Sequence, residues 1–214
     1  MINEKDFLNS LKIKIVEARS NKMLLIMTGI EGSLSGYNGK YDLIANEMKE
    51  KFDISTFVIS LPFGTYEHMQ EIFDFASQKI NEYFVKKRIS NYEIYAMGSS
   101  AGGTVILNNF EKNAKITAIS AINPVFSVNF HKIIENLQNS KIRKTIILGE
   151  KDMSMYDYQI LSTIEDLDIV VIPDGDHYLS GEDNFKFFLD IPKNYLTDIQ
   201  NNYKKSSQWP FLRT

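Results

Sequence analysis

Apolar residues recur along the chain with two different periods. Short runs rich in β-branched residues stand at Leu11–Val16 (LKIKIV), Met23–Gly29 (MLLIMTG), Ile54–Ser60 (ISTFVIS), Tyr92–Gly98 (YEIYAMG), Ile116–Ile122 (ITAISAI), Lys144–Gly149 (KTIILG) and Asp168–Pro173 (DIVVIP). Several are apolar at consecutive positions, which suits strands covered on both faces of a parallel sheet. Between them the spacing changes to that of a helix. Tyr41, Ile44, Ala45, Met48 and Phe52 fall on one helical face, as do Met69, Ile72, Phe73, Ala76 and Ile80. Further helices are expected near 102–112, 130–138, 156–165 and 183–203, with Pro192 breaking or restarting the last. Strand–helix alternation repeated this often predicts an α/β fold: a mostly parallel central sheet of about seven strands with helices on both faces. The run Leu11–Val16 stands too close to Met23–Gly29 for a helical crossover, so it is expected to be antiparallel, at or near a sheet edge.

Composition narrows the class. A length of 214 residues suits one domain, here residues 1–214, with about 204–214 as a C-terminal tail. The chain is 43% apolar and 12% aromatic, too much of both for a disordered polymer. A formal net charge of −3 gives no footprint for nucleic acid. Cysteine is absent, which excludes disulfides, thiolate zinc sites, iron–sulfur clusters and a Cys nucleophile. Three scattered histidines make no ligand cluster, so neither a metal nor another cofactor is expected. The start, MINEKDFLNS, carries acids and no apolar segment of a signal peptide. No run approaches the roughly 20 residues of a membrane span, and a cytoplasmic location is expected.

The sharpest chemical signal is YAMGSSAGG. It holds the pattern G-x-S-x-G as Gly98, Ser99, Ser100, Ala101 and Gly102. A strand-like run ends at Gly98, and the helix-forming TVILNNF follows Gly103. Strand, sharp turn and helix are the setting of a nucleophile elbow, which lifts a serine hydroxyl above the end of a sheet. In this the chain resembles the α/β-hydrolase superfamily, from about residue 11 to about residue 203. The resemblance implies a catalytic acid in the loop two strands beyond the elbow and a histidine after the last strand.

His177, in IPDGDHYLSG, follows the run Asp168–Pro173 directly, whereas His68 and His131 lie in or near helical stretches. A serine hydroxyl needs a base to take its proton, and imidazole is the side chain poised to do so near neutral pH. Asp152, in ILGEKDMSM, lies just past the strand Lys144–Gly149 and is the candidate that orients the imidazole. Glu150, Asp157, Asp174 and Asp176 compete for that role. The order Ser100, Asp152, His177 matches the order in the superfamily.

The resemblance also implies two backbone donors for an oxyanion. One is the N–H of Ala101; the other comes from TGIEGSLSGYNGKY, with Ile30 the first choice and Glu31 the next. Here Thr28-Gly29 stands where many relatives have His-Gly. About half a dozen residues separate Asn123-Pro124 from the helix expected near Phe130, too few for a cap domain. The site is therefore expected to be open, lined from Phe126, Ser127, Met153, Tyr156 and the 61–66 loop. These residues point to a serine hydrolase that cleaves a small carboxylic ester or thioester through an acyl-enzyme on Ser100. The alternatives are an acyltransferase or peptidase with the same triad, and a hydrolase-fold binding protein without turnover. The expected partner is a small acyl substrate; the sequence sets no oligomeric state.

Overall fold

The computed structural model describes residues 4–196. The strands are β1 (Lys12–Val16), β2 (Lys22–Ile30), β3 (Ser55–Leu61), β4 (Glu93–Ser99), β5 (Ile116–Ile122), β6 (Arg143–Gly149) and β7 (Leu167–Ile172). The helices are α1 (Glu4–Ser10), α2 (Lys40–Phe52), α3 (Met69–Lys86), α4 (Ala101–Asn109), α5 (Phe130–Asn139), α6 (Tyr158–Leu161) and α7 (Glu182–Ile191). The strands form one sheet in the order β1-β3-β2-β4-β5-β6-β7, parallel throughout except for β1, which runs antiparallel along β3 at the edge.

Alternation of side chains within each strand explains the consecutive apolar runs. In β4, Ile94 and Ala96 pack into one core layer, while Tyr95 and Met97 pack into the other. The first layer is completed by α1, α3, α4, α5 and α6, and the second by α2 and α7. Both faces of the sheet are thus dry, so the loops at its carboxyl edge are the exposed part of the central strands.

Strand order places the crevice. From β2 the chain moves outward to β3, then returns past β2 to β4, so successive connections diverge between β2 and β4. Ligands of open α/β sheets bind outside the carboxyl ends of strands at such a point. There β2 and β3 lose register: Met27 pairs with Ile59 but Ile30 pairs with Leu61. The extra residue on β2 is a bulge that bends its end.

Three stretches differ from the sequence pattern. Residues 4–10 form a helix that the pattern did not mark, held by Phe7 stacking on His68 at 4.3 Å. The helix expected over 156–165 is a single turn, preceded by a 3-10 turn at Met153–Asp157. The Ser162 and Thr163 hydroxyls donate to the carbonyls three residues back and end it there. At Pro192, α7 widens into a π turn over Pro192–Leu196, because proline has no N–H to continue the ladder. The rest of the helix expected to 203, and the 204–214 tail, lie outside the described residues. Residues 123–129 link β5 to α5 without a helix, so no cap is inserted there. None of the described helices is long and apolar enough to cross a membrane.

Candidate active site

Ser100 sits between β4 and α4 with φ 53° and ψ −121°. A non-glycine residue at positive φ costs of order 1–3 kcal/mol and persists only where its surroundings fix it. Two backbone bonds do so: Ser100 N–H donates to Ile122 O at 2.8 Å, and Ser100 O accepts from Thr104 N–H at 3.1 Å. Close packing does the rest. A Cβ on Gly102 would stand 2.2 Å from Met27 O, and one on Gly98 would stand 2.4 Å from the Gly102 carbonyl carbon. Only glycine lets α4 start this close to β2 and β4. The glycines of G-x-S-x-G are therefore demanded by space rather than by turn propensity.

The other two candidate residues arrive from neighbouring loops. His177 Nε2 lies 2.9 Å from Ser100 Oγ, and His177 Nδ1 lies 2.6 Å from Asp152 Oδ2. The Asp152 side chain is 6% exposed and that of His177 37%, so the acid is buried and the imidazole half-open. Burial pushes the Asp152 carboxyl up, but hydrogen bonds from Ser154 and His177 outweigh it and hold the group below the usual carboxylate range. Among these bonds, the Ser154 N–H donates to Asp152 Oδ1 at 2.8 Å. An ionised Asp152 accepts from Nδ1–H, which leaves Nε2 to accept the Ser100 hydroxyl proton.

Three of the competing acids are engaged elsewhere. Glu150 Oε2 accepts the Asp174 N–H at 2.9 Å, and Asp174 pairs with Lys151 at 2.8 Å. Asp176 Oδ1 accepts the Tyr178 and Ser180 N–H groups, so its carboxylate caps its own loop. Burial raises the Asp157 carboxyl. Of the other histidines, His68 stacks on Phe7 and His131 lies in the first turn of α5.

The end of β2 lies beside the elbow: a Cβ on Gly29 would stand 3.5 Å from Ser100 Cβ. Thr28 is buried, and its hydroxyl donates to Gly29 O at 2.8 Å and accepts the Leu61 N–H at 3.2 Å. It ties the 28–32 turn to β3. Glu31 N–H donates to Leu61 O at 2.6 Å, so it is turned away from Ser100. Ile30, the last residue of β2, pairs with Leu61 in the parallel ladder. The Glu31 side chain is exposed. Ala101 N–H belongs to the first turn of α4, where backbone donors lack partners within the helix.

The residues expected from sequence to line the site divide into buried and exposed ones. Phe126 and Thr65 are buried in the body of the protein. Met153, Tyr156 and Phe63 are instead exposed, together with Tyr37 and Tyr178, which the sequence did not single out. Among the described residues, these five are the large apolar side chains more than two-thirds exposed, at 69% to 86%. All lie in loops that follow the carboxyl ends of β2, β3, β6 and β7. Met153 follows Asp152, and the Tyr178 ring meets the His177 ring edge-on at 5.4 Å. Among the described residues, no group of three or more His, Asp or Glu side chains is placed to hold a metal ion.

No protein-family model matches the chain, and no curated protein matches it in sequence. Solved structures match it in fold. Esterase PE8 aligns with a TM-score of 0.65 at 11% identity, over 87% of this chain and 99% of its own. A dienelactone hydrolase from Anabaena variabilis ATCC 29413 aligns with a TM-score of 0.63 at 15% identity, over 87% and 93%. The mouse alpha/beta hydrolase domain-containing protein 10 aligns at 0.55 and 14%, over 86% and 92%. At such identities the likeness is one of fold.

Proposed function

On the α/β-hydrolase fold that the chain has, we propose a serine hydrolase that cleaves a small carboxylic ester or thioester. The observation that carries this reading is the continuous chain Ser100 Oγ–His177 Nε2 and His177 Nδ1–Asp152 Oδ2, at 2.9 and 2.6 Å, set on a strained elbow. Ser100 Oγ bonds to the acyl carbon as its proton passes to His177 Nε2. The carbonyl pair moves onto oxygen, where the N–H groups of Ala101 and Ile30 receive it. Collapse expels the alcohol or thiol, which takes the proton from Nε2 and leaves an acyl-enzyme. Water then repeats the sequence with His177 as base, releasing the acid and restoring Ser100. Asp152 holds the tautomer and the charge of the imidazole throughout.

The open rim supports hydrolysis over transfer, since transfer to another acceptor requires that water be kept out. Tyr37, Phe63, Met153, Tyr156 and Tyr178 favour a substrate with an apolar or aromatic group that rests on the surface while the small reacting carbonyl enters. The test is a rapid denaturing quench with p-nitrophenyl acetate, followed by intact-mass and peptide analysis. An acetyl group on Ser100 in the parent, absent from Ser100→Ala, is the expected result. Ester cleavage with no adduct on Ser100 would overturn the mechanism.

A further inference from the structure

Resting on that reading, we propose that Asn123, which makes no contact with the reacting atoms, is the positioning residue that sets His177 against Asp152. Asn123 is fully buried at the carboxyl end of β5, and its φ of 44° is a conformation asparagine tolerates better than most residues. Its side chain uses both ends. The amide nitrogen donates to Asp176 O and to His177 O, each at 3.0 Å. The amide oxygen accepts the Gly149 N–H at 2.7 Å.

The two carbonyls belong to the peptide units on either side of the His177 Cα. Holding both planes leaves the Cα little rotation about φ or ψ, and that fixes where Cβ and the ring project. The third bond reaches Gly149, the last residue of β6 and three before Asp152. One amide thus ties the loop of the base to the strand that delivers the acid. The two loops already lie close: Lys151 N–H donates to Gly175 O at 2.8 Å, and a Cβ on Gly149 would stand 2.6 Å from Gly175 O.

The same strand end also reaches the nucleophile, since Ile122 O accepts the Ser100 N–H, while Asn123 N–H donates to Ile147 O. Strand β5 lies between β4 and β6 and supplies none of the three catalytic side chains. Its last residue and the one after it nevertheless bond to the elbow, to the acid's strand and to the base's loop. A backbone carbonyl only accepts and a backbone N–H only donates; the Asn123 amide does both, so one side chain joins the base's loop to the acid's strand.

The test uses the full chain with Asn123→Gly, which keeps the positive φ and removes all three side-chain bonds. Two quantities are read: kinetics on p-nitrophenyl acetate, and the far-downfield proton resonance of the Nδ1–H held by Asp152. The expected result is a kcat about 10- to 100-fold lower with KM within about twofold, the scale of a misplaced catalytic group, and a lost or broadened resonance. A variant that keeps both the kcat and the resonance of the parent overturns the proposal. If Asn123→Gly does not fold, Asn123→Asp replaces it; it retains the acceptor for Gly149 and sets a carboxylate against two carbonyls, and the same outcomes decide. If the parent itself turns over no ester, the hydrolase reading fails alone. The resonance still decides Asn123, because it reports the His177–Asp152 contact without turnover.

Discussion

The elbow and the two loops beyond it reach one point by different physics. Ser100 is held by the backbone: main-chain hydrogen bonds, a positive φ and glycines whose missing Cβ atoms allow α4 to touch β2 and β4. Asp152 and His177 have backbone ties as well, but polar side chains take part in holding them. Asn123 bonds the base's loop, Asp176 caps it, and the Ser154 N–H turns the acid. A sterically fixed turn fails as a unit when a methyl group is added. A hydrogen-bonded loop loosens in steps, one partner at a time.

The largest expected effects come from removing the reacting groups themselves. Ser100→Ala and His177→Ala should each lower kcat on a short activated ester by about 10³-fold or more. His68→Ala and His131→Ala should stay within about twofold of the parent, since His68 is stacked on Phe7 and His131 sits in the first turn of α5. Equal losses for all three histidines would break the distinction drawn between them.

Next in size is the acid. Asp152→Asn keeps volume but removes the charge that fixes the imidazole tautomer, and kcat should fall by about two to four orders of magnitude. Asp157→Asn and Asp174→Asn should remain within about tenfold, as indirect effects. Near-parental kcat/KM in Asp152→Asn, with collapse in one of the others, would show that a different carboxylate serves His177.

The steric side of the comparison is tested by stability. Gly102→Ala places a methyl carbon 2.2 Å from Met27 O, where only backbone can give way. It should cost about 3 kcal/mol or more, at or beyond the upper end of overpacking, and be read as a fall in Tm. Gly39→Ala meets nothing within 4 Å and carries only the strain of φ 70°, worth about 1 kcal/mol. Similar losses at the two positions would mean that turn strain, rather than crowding, makes the elbow glycines necessary.

The smallest effect is electrostatic. The folded-state pKa of Asp152 lies below its ordinary value. Its charge therefore stabilises the fold above the usual carboxylate range, and that share is lost as pH falls through the depressed value. The Tm gap between parent and Asp152→Asn should be widest near neutral pH and close on acidification below about 4, the usual range for aspartate. A gap that persists at low pH would assign the difference to packing.

The strands and long helices were legible because the apolar periods change where the elements change; every run read as a strand is one, within a residue or two at each end. The elbow was legible because strand, turn and helix follow one another within a few residues, although the crowding that demands Gly102 comes from Met27 on β2. What sequence hid depends on contacts between distant segments. Helix α1 is fixed by Phe7 against His68, about 60 residues away. The short α6 is ended by hydroxyls that any pattern reads as ordinary polar positions. Asn123 looked like the end of a strand before proline, because its three side-chain partners lie 26, 53 and 54 residues away. Phe126 looked like pocket lining from its place after β5, yet it is buried in the core layer that includes α3, α4 and α5. Competition among five acids was open in the sequence, and only geometry shows which carboxylate stands 2.6 Å from the imidazole.

Catalysis at this site requires Ser100 to be an activated nucleophile in the folded protein, and a fluorophosphonate probe measures that directly. At neutral pH one covalent adduct is expected, mapped by peptide mass to Ser100. It forms more slowly in Asp152→Asn and in Asn123→Gly, and not at all in His177→Ala on the same time scale. A folded parent that stays unlabelled, or one labelled at another serine such as Ser99, would contradict it.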